Sequence, residues 1–238
     1  MRIEVEGNYD LSNFDKFKSS FENDLGSLFK MSCSFYLVDT LPKMAVFVSK
    51  YDHCLYDILA QQSSGKLSCT IPFIASNHKD LERIAKQFDI PFYFIPVAKN
   101  NKKEAEEKQL DLLKKYNVDC IVLARYMQIV SSRIIDIYPS KIKNIHHSFL
   151  PVFPGVKPYD SAFNWGVKII GTTSYYVTEE LDTGPIIEQD IIPVSHKYGV
   201  KDFILKGQDL ERIVLLRSLK LHCELKIMTY NNKTIVFS

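Results

Sequence analysis

The stretch DCIVLA, Asp119–Ala124, runs through five apolar residues without a polar break. A strand with one wet face alternates apolar and polar side chains. A short continuous apolar run instead reads as a strand covered on both faces, as in parallel sheets flanked by helices. Its neighbours agree. Upstream, MAVFV (44–48) is a second buried strand, and HCLYDILAQQ (53–62) puts Leu55, Ile58 and Leu59 on one helical face. CTIPFIAS (69–76) and PFYFIPV (91–97) are strand-like and bracket KDLERIAKQF (79–88), a helix with Leu81, Ile84, Ala85 and Phe88 inward. KKEAEEKQLDLLKKY (102–116) is a charged helix expected to be solvated.

Downstream, SSRIIDIYP (131–139) is a short helix ended by Pro139, and KIKNI (141–145) is the next strand. YDSAFNWG (159–166) reads as a helix. VKIIGTTSYYV (167–177) and GPIIEQDIIPV (184–194) are strands on either side of TEELDT, a long helix covers roughly 200–225, and KIMTYNNKTIVF (226–237) is a hairpin turning on Asn231-Asn232. Strands alternating with helices at this spacing predict an α/β fold, a three-layer αβα open and mostly parallel twisted sheet. Such sheets hold their sites in the crevice beyond the carboxyl ends of the strands.

The first 42 residues are expected to form a small βαβ piece. In it MRIEVEG is a strand with Ile3 and Val5 on one face, Phe14, Phe17, Phe21, Leu25 and Leu28 make a helical stripe, and CSFYLV is a second strand. Residues 43–238 form the main domain.

The chain has 238 residues, 46% hydrophobic and 24% charged, with a formal net charge of +2. That is an ordinary globule, with too little charge to point to a nucleic acid or a membrane surface as partner. The start carries no signal-peptide pattern, and no apolar run approaches the roughly 18 residues of a membrane span. A cytoplasmic location is the default. Five cysteines, scattered and never in a CxxC pair, argue against a disulfide framework or zinc site.

Neither GxGxxG nor GxxxxGK[ST] occurs, and the loop SKYDHCLYD after the first sheet strand lacks glycine. A backbone phosphate cradle there is disfavoured. Chemistry is expected where KIKNI runs out. Residues i and i+2 of a strand share a side, so Asn144 and His146 face one pocket with Ile145 packed behind. Asp182 lies in the loop ahead of a Gly-Pro turn. An amide, an imidazole and a carboxylate suit attack on an acyl carbon: the amide and the protonated imidazole stabilise an oxyanion and the carboxylate takes a proton from the nucleophile. On residue types alone, a structural Asn-x-His and a turn aspartate are the commoner readings. His147 points the other way if the strand continues.

KNIHHSFLPVFPG (143–155), followed by VKIIGTTSYYVTEELDTGPIIEQD (167–190), resembles the folate-dependent formyltransferase family. ARYMQIV (124–130) and KGQDLERIVLLRSL (206–219) fall in the family's order and spacing, and the likeness runs from Met44 to Ser238. The double histidine before Ser-Phe-Leu-Pro is similar to the branch that hydrolyses the formyl group rather than transferring it. The resemblance implies Asn144, His146 and Asp182 as the catalytic set. Folate binding would fall to Met127, Gln128 and Val130 on one side and to Val177 and Glu179 on the other.

The implied activity is hydrolysis of 10-formyltetrahydrofolate to tetrahydrofolate and formate, feeding one-carbon and purine metabolism. It involves a small-molecule folate and no metal or other cofactor. Formyl transfer to an amine such as glycinamide ribonucleotide, and a folate-binding protein without turnover, are the alternatives. The first 42 residues resemble the second half of an ACT module, whose exposed strand edge would suit a homo-oligomer. Tyr175 stands where the family usually has histidine, and Gln128 where arginine is common.

Overall fold

The structure, a computed structural model, describes residues 2–6, 11–38, 40–151 and 158–237. The residues up to Thr40 and those from Leu41 to Val236 form two compact units.

In the larger unit, strand β1 (Met44–Val48) is buried along its whole length. Its side chains alternate between two cores, as the two-residue repeat of a strand requires. Met44, Val46 and Val48 pack in one core with Leu55, Ile58 and Leu59 of helix α2 (His53–Ser63) and with Leu210 and Val214 of α7 (Val200–Cys223). Ala45 and Phe47 pack in the other with Leu113 of α4 (Lys102–Lys115) and Ile134 of α5 (Ser132–Ile135). The sheet lies between these helical layers.

That sheet also contains β2 (Ile74–Ser76), β3 (Phe92–Phe94), β4 (Cys120–Ala124), β5 (Ile142–His146), β6 (Ile169–Tyr176) and β7 (Ile186–Pro193). The order is β3-β2-β1-β4-β5-β6-β7. Pairings from β3 through β5 are parallel. The last two, β5 with β6 and β6 with β7, are antiparallel. DCIVLA is the strand covered on both faces that its composition predicts, all five residues of β4 being buried. Two further helices, α3 (Glu82–Gln87) and α6 (Pro158–Trp165), complete this unit together with a hairpin of β8 (Ile227–Tyr230) and β9 (Lys233–Val236). Asn231 and Asn232 turn that hairpin at φ 47° and 55°, the left-handed pair asparagine tolerates. Among the described residues, no helix is long and apolar enough to cross a membrane.

Three expectations need correction. CTIPFIAS and PFYFIPV keep strand form only over β2 and β3, because Pro72, Pro91 and Pro96 give the ladder no N–H. Helix α4 is not simply solvated: it buries Ala105, Glu106, Gln109 and Leu113. In the smaller unit neither residues 2–6, the described part of MRIEVEG, nor CSFYLV (33–38) is a strand. Among the described residues both lack a neighbour to complete a ladder, and Ile3 and Val5 are exposed. The helix expected between the two segments does form, as α1 (Leu11–Phe21) extended by a π-turn at Glu22–Gly26, with the Phe17, Phe21 and Phe35 rings 5.5–6.1 Å apart. Residue 1 and residues 7–10, which include both ends of the first expected strand, and 152–157, which include all of the PVFPG stretch but its first proline, lie outside the described residues.

Candidate active site

Along β5, Ile145 enters the apolar core while Asn144 and His146 take the opposite side. The antiparallel register sets Asn144 beside Tyr175 of β6. The β6–β7 ladder slips between Ser174 and Tyr175, a bulge of the kind that re-aims side chains near sites. Tyr175, only 2% exposed, points at both its neighbours. Asn144 Nδ2 donates to the phenol oxygen at 2.8 Å, and the phenol donates to Asp182 Oδ1 at 2.7 Å. Asp182 Oδ2 lies 3.5 Å from His146 Nδ1. Asn144, His146 and Asp182, 38 residues apart in sequence at their extremes, thus form one constellation with Tyr175 as its link.

Two backbone features hold Asp182 there. Its φ is 60°, a left-handed conformation that side chains other than glycine seldom take. Two residues later the chain passes so close to β6 that a Cβ on Gly184 would sit 1.8 Å from the Tyr176 carbonyl oxygen. Only glycine permits that approach.

The protonation pattern follows from burial. Tyr175 is pushed far above the ordinary phenol range by burial and by its bond to Asp182, so it stays a donor. His146 is pulled below its ordinary value by burial, with Asp182 opposing and Arg125 adding to the shift. It is therefore mainly neutral near pH 7, where a protonated imidazole is expected from sequence. Its Nε2 is buried and has no partner among the described residues, leaving one ring nitrogen for a ligand. His147, lowered to about 4 chiefly by burial, is neutral too, and its ring stacks between His146 and Tyr159 at centroid distances of 5.1 and 5.9 Å.

The expected folate-contact residues lie just beyond the ends of the two strands next to β5. Met127, Gln128 and Val130 follow β4, with Met127 exposed and Val130 buried. Their segment is held from below: Gln109 Nε2 donates to the Tyr126 hydroxyl at 2.8 Å, the Met127 N–H to Ser49 Oγ at 2.9 Å, and the Ser131 N–H and hydroxyl to Glu106 at 3.1 and 2.7 Å. This is why α4 buries polar residues. Val177 and Glu179 follow β6. The Val177 N–H is tied to the Ile142 carbonyl at 2.8 Å, while Glu179 is exposed.

Sequence reasoning singled out Tyr175 only as an unusual residue and did not place it in the constellation. Nothing local marks it, since its contact with Asn144 depends on strand register.

A protein-family model described as "Formyl transferase" matches residues 42–219. The chain is 53% identical over 200 residues to a formyltetrahydrofolate deformylase of Synechocystis sp., covering 84% of this chain and 70% of that one. To a formyltetrahydrofolate deformylase of Bacillus subtilis it is 42% identical over 241 residues, covering all of this chain and 79% of the relative. The crystal structure of a formyltetrahydrofolate deformylase from Pseudomonas syringae pv. tomato superposes with a TM-score of 0.92 at 40% identity, covering 97% of this chain and 76% of that one.

Proposed function

The chain belongs to the formyl transferase family, and from that premise we propose that it hydrolyses 10-formyltetrahydrofolate to tetrahydrofolate and formate. The observation that carries this reading is the convergence of Asn144, His146 and Asp182, with the Tyr175 hydroxyl bridging Asn144 to Asp182 and His146 beside the far carboxylate oxygen.

In this reading the formyl carbon of the substrate lies before Asn144 and His146. Tyr175 occupies one Asn144 amide hydrogen, and the other is available to the formyl oxygen. His146 Nε2, when protonated, adds a second donor. Asp182 accepts the Tyr175 hydroxyl on one oxygen and directs a water with the other. The water oxygen bonds to the formyl carbon as its proton passes to Asp182. The tetrahedral oxyanion forms between Asn144 and His146 and then collapses. The C–N10 bond breaks as the proton held by Asp182 passes to N10, and the formic acid formed gives its remaining proton to solvent and leaves as formate. The amide, imidazole and carboxylate supply both polarisation and base, so the reaction is proposed to need no metal. Formate released in this way would enter one-carbon metabolism.

The test is to incubate the protein with 10-formyltetrahydrofolate and no amine, then measure formate. Release without an acceptor supports hydrolysis. Release only when glycinamide ribonucleotide or another amine is added overturns it in favour of transfer, and tight binding without release overturns it in favour of a binding protein.

A further inference from the structure

A second polar cluster sits against α7 and takes no part in the mechanism above. Glu211 is fully buried. Its Oε1 accepts the Tyr159 hydroxyl at 2.8 Å, and its Oε2 lies 2.8 Å from His53 Nε2 and 3.5 Å from Arg125 Nε. The Arg125 guanidinium lies over the Tyr51 ring, 4.8 Å from its centroid. One turn before Glu211, a Cβ on Gly207 would stand 2.1 Å from the Tyr159 hydroxyl oxygen, so α7 is glycine where Tyr159 must pass to reach the carboxylate. Burial pushes the Glu211 carboxyl up, but His53, Arg125 and Tyr159 together hold it below its ordinary value, and it is charged at neutral pH.

An isolated buried carboxylate is costly unless fully partnered, and here the partners come from the start of α2, the end of β4 and α6. Two of them lead to the site. The Tyr159 ring touches His147, which touches His146. Arg125, at φ 60°, is the first residue after β4 and opens the segment that carries Met127, Gln128 and Val130.

We infer that Glu211 is a positioning residue: its buried carboxylate anchors Arg125 and Tyr159, and through them it fixes the 125–130 segment and the seat of the two histidines. The inference deepens the hydrolytic reading and rests on it. The charged and titratable groups around Glu211 are His53 and Cys54 on α2, Arg125 after β4 and Tyr159 on α6. Those around His146 are Asp182, Arg125, Glu211 and His147.

Glu211→Gln keeps the shape and removes the charge. In the full chain without substrate, NMR titration of the histidine rings should show the His146 midpoint moving to lower pH, because Glu211 favours its protonated form. With 10-formyltetrahydrofolate, kcat should fall ~10–100-fold, the range expected for a catalytic group displaced by up to about 1 Å. The part of the profile that needs protonated His146 should end at lower pH. Tyr159→Phe removes a single hydroxyl and should also lower kcat several-fold in a chain that still folds, as its circular dichroism spectrum checks, although the lost donor to a buried carboxylate lowers the melt.

Folded variants with parental His146 midpoints and parental kcat overturn the inference. If Glu211→Gln does not fold, parental kcat in Tyr159→Phe overturns it alone. A parent protein that releases no formate sinks the hydrolytic reading instead, and the ring titrations then still decide whether Glu211 controls His146.

Discussion

The Tyr175 hydroxyl stands 2.7 Å from Asp182 Oδ1 while accepting Asn144 Nδ2 at 2.8 Å, so one phenol orients both an amide and a carboxylate. Tyr175→Phe keeps the buried ring and removes both bonds. A hydrogen bond to a charged group contributes about 1.5–3 kcal/mol, and ~1.4 kcal/mol is tenfold in rate. If much of that orientation persists to the transition state, formate release should slow by roughly 10–100-fold. A parental rate in a folded Tyr175→Phe protein would show that the phenol only fills space.

On the proposed mechanism, Asn144→Ala removes an oxyanion donor from a half-buried strand position. Loss of one such donor typically costs ~10²–10³ in kcat, and the circular dichroism spectrum should stay unchanged. Asp182→Asn should lose comparable activity, since an amide cannot take the proton from water. Activity of Asp182→Ala near the parental rate would remove Asp182 from the mechanism.

Acid should destabilise the fold through its neutral histidines. His147 titrates at about 4 in the folded chain against an ordinary 6.5, and His222 is shifted well down by the same burial. Between those values the unfolded chain binds a proton that the folded one does not. The stability contributed is fully present above roughly pH 6.5 and is lost as the pH falls toward 4. For His147 the loss is on the order of 3 kcal/mol. Urea unfolding at pH 7 and pH 4.5 measures it, and His147→Asn should flatten the dependence.

Gly184→Ala places a methyl group 1.8 Å from the Tyr176 carbonyl oxygen. Backbone must move, and overpacking of this kind costs about 3 kcal/mol. The melting temperature should drop by several degrees, and the displaced Asp182 loop should lose formate release in the fraction that folds. An unchanged melt would mean that the β6–β7 loop has room that the structure does not show.

What the sequence determined alone is what repeats over short range. The apolar run of β4 and the alternation around it specify a mostly parallel sheet between helical layers. The two-residue period of β5 puts Asn144 and His146 on one side and Ile145 on the other. Alternation failed at residues 2–6 and 33–38, because a period-two pattern becomes a strand only when another strand supplies the ladder. Tertiary structure decided the rest. Tyr175 meets Asn144 through an antiparallel register across 31 residues, and Glu211 meets His53 across 158. Such contacts leave no local period to read, since they arise from how separate elements pack and from which glycines let them come close.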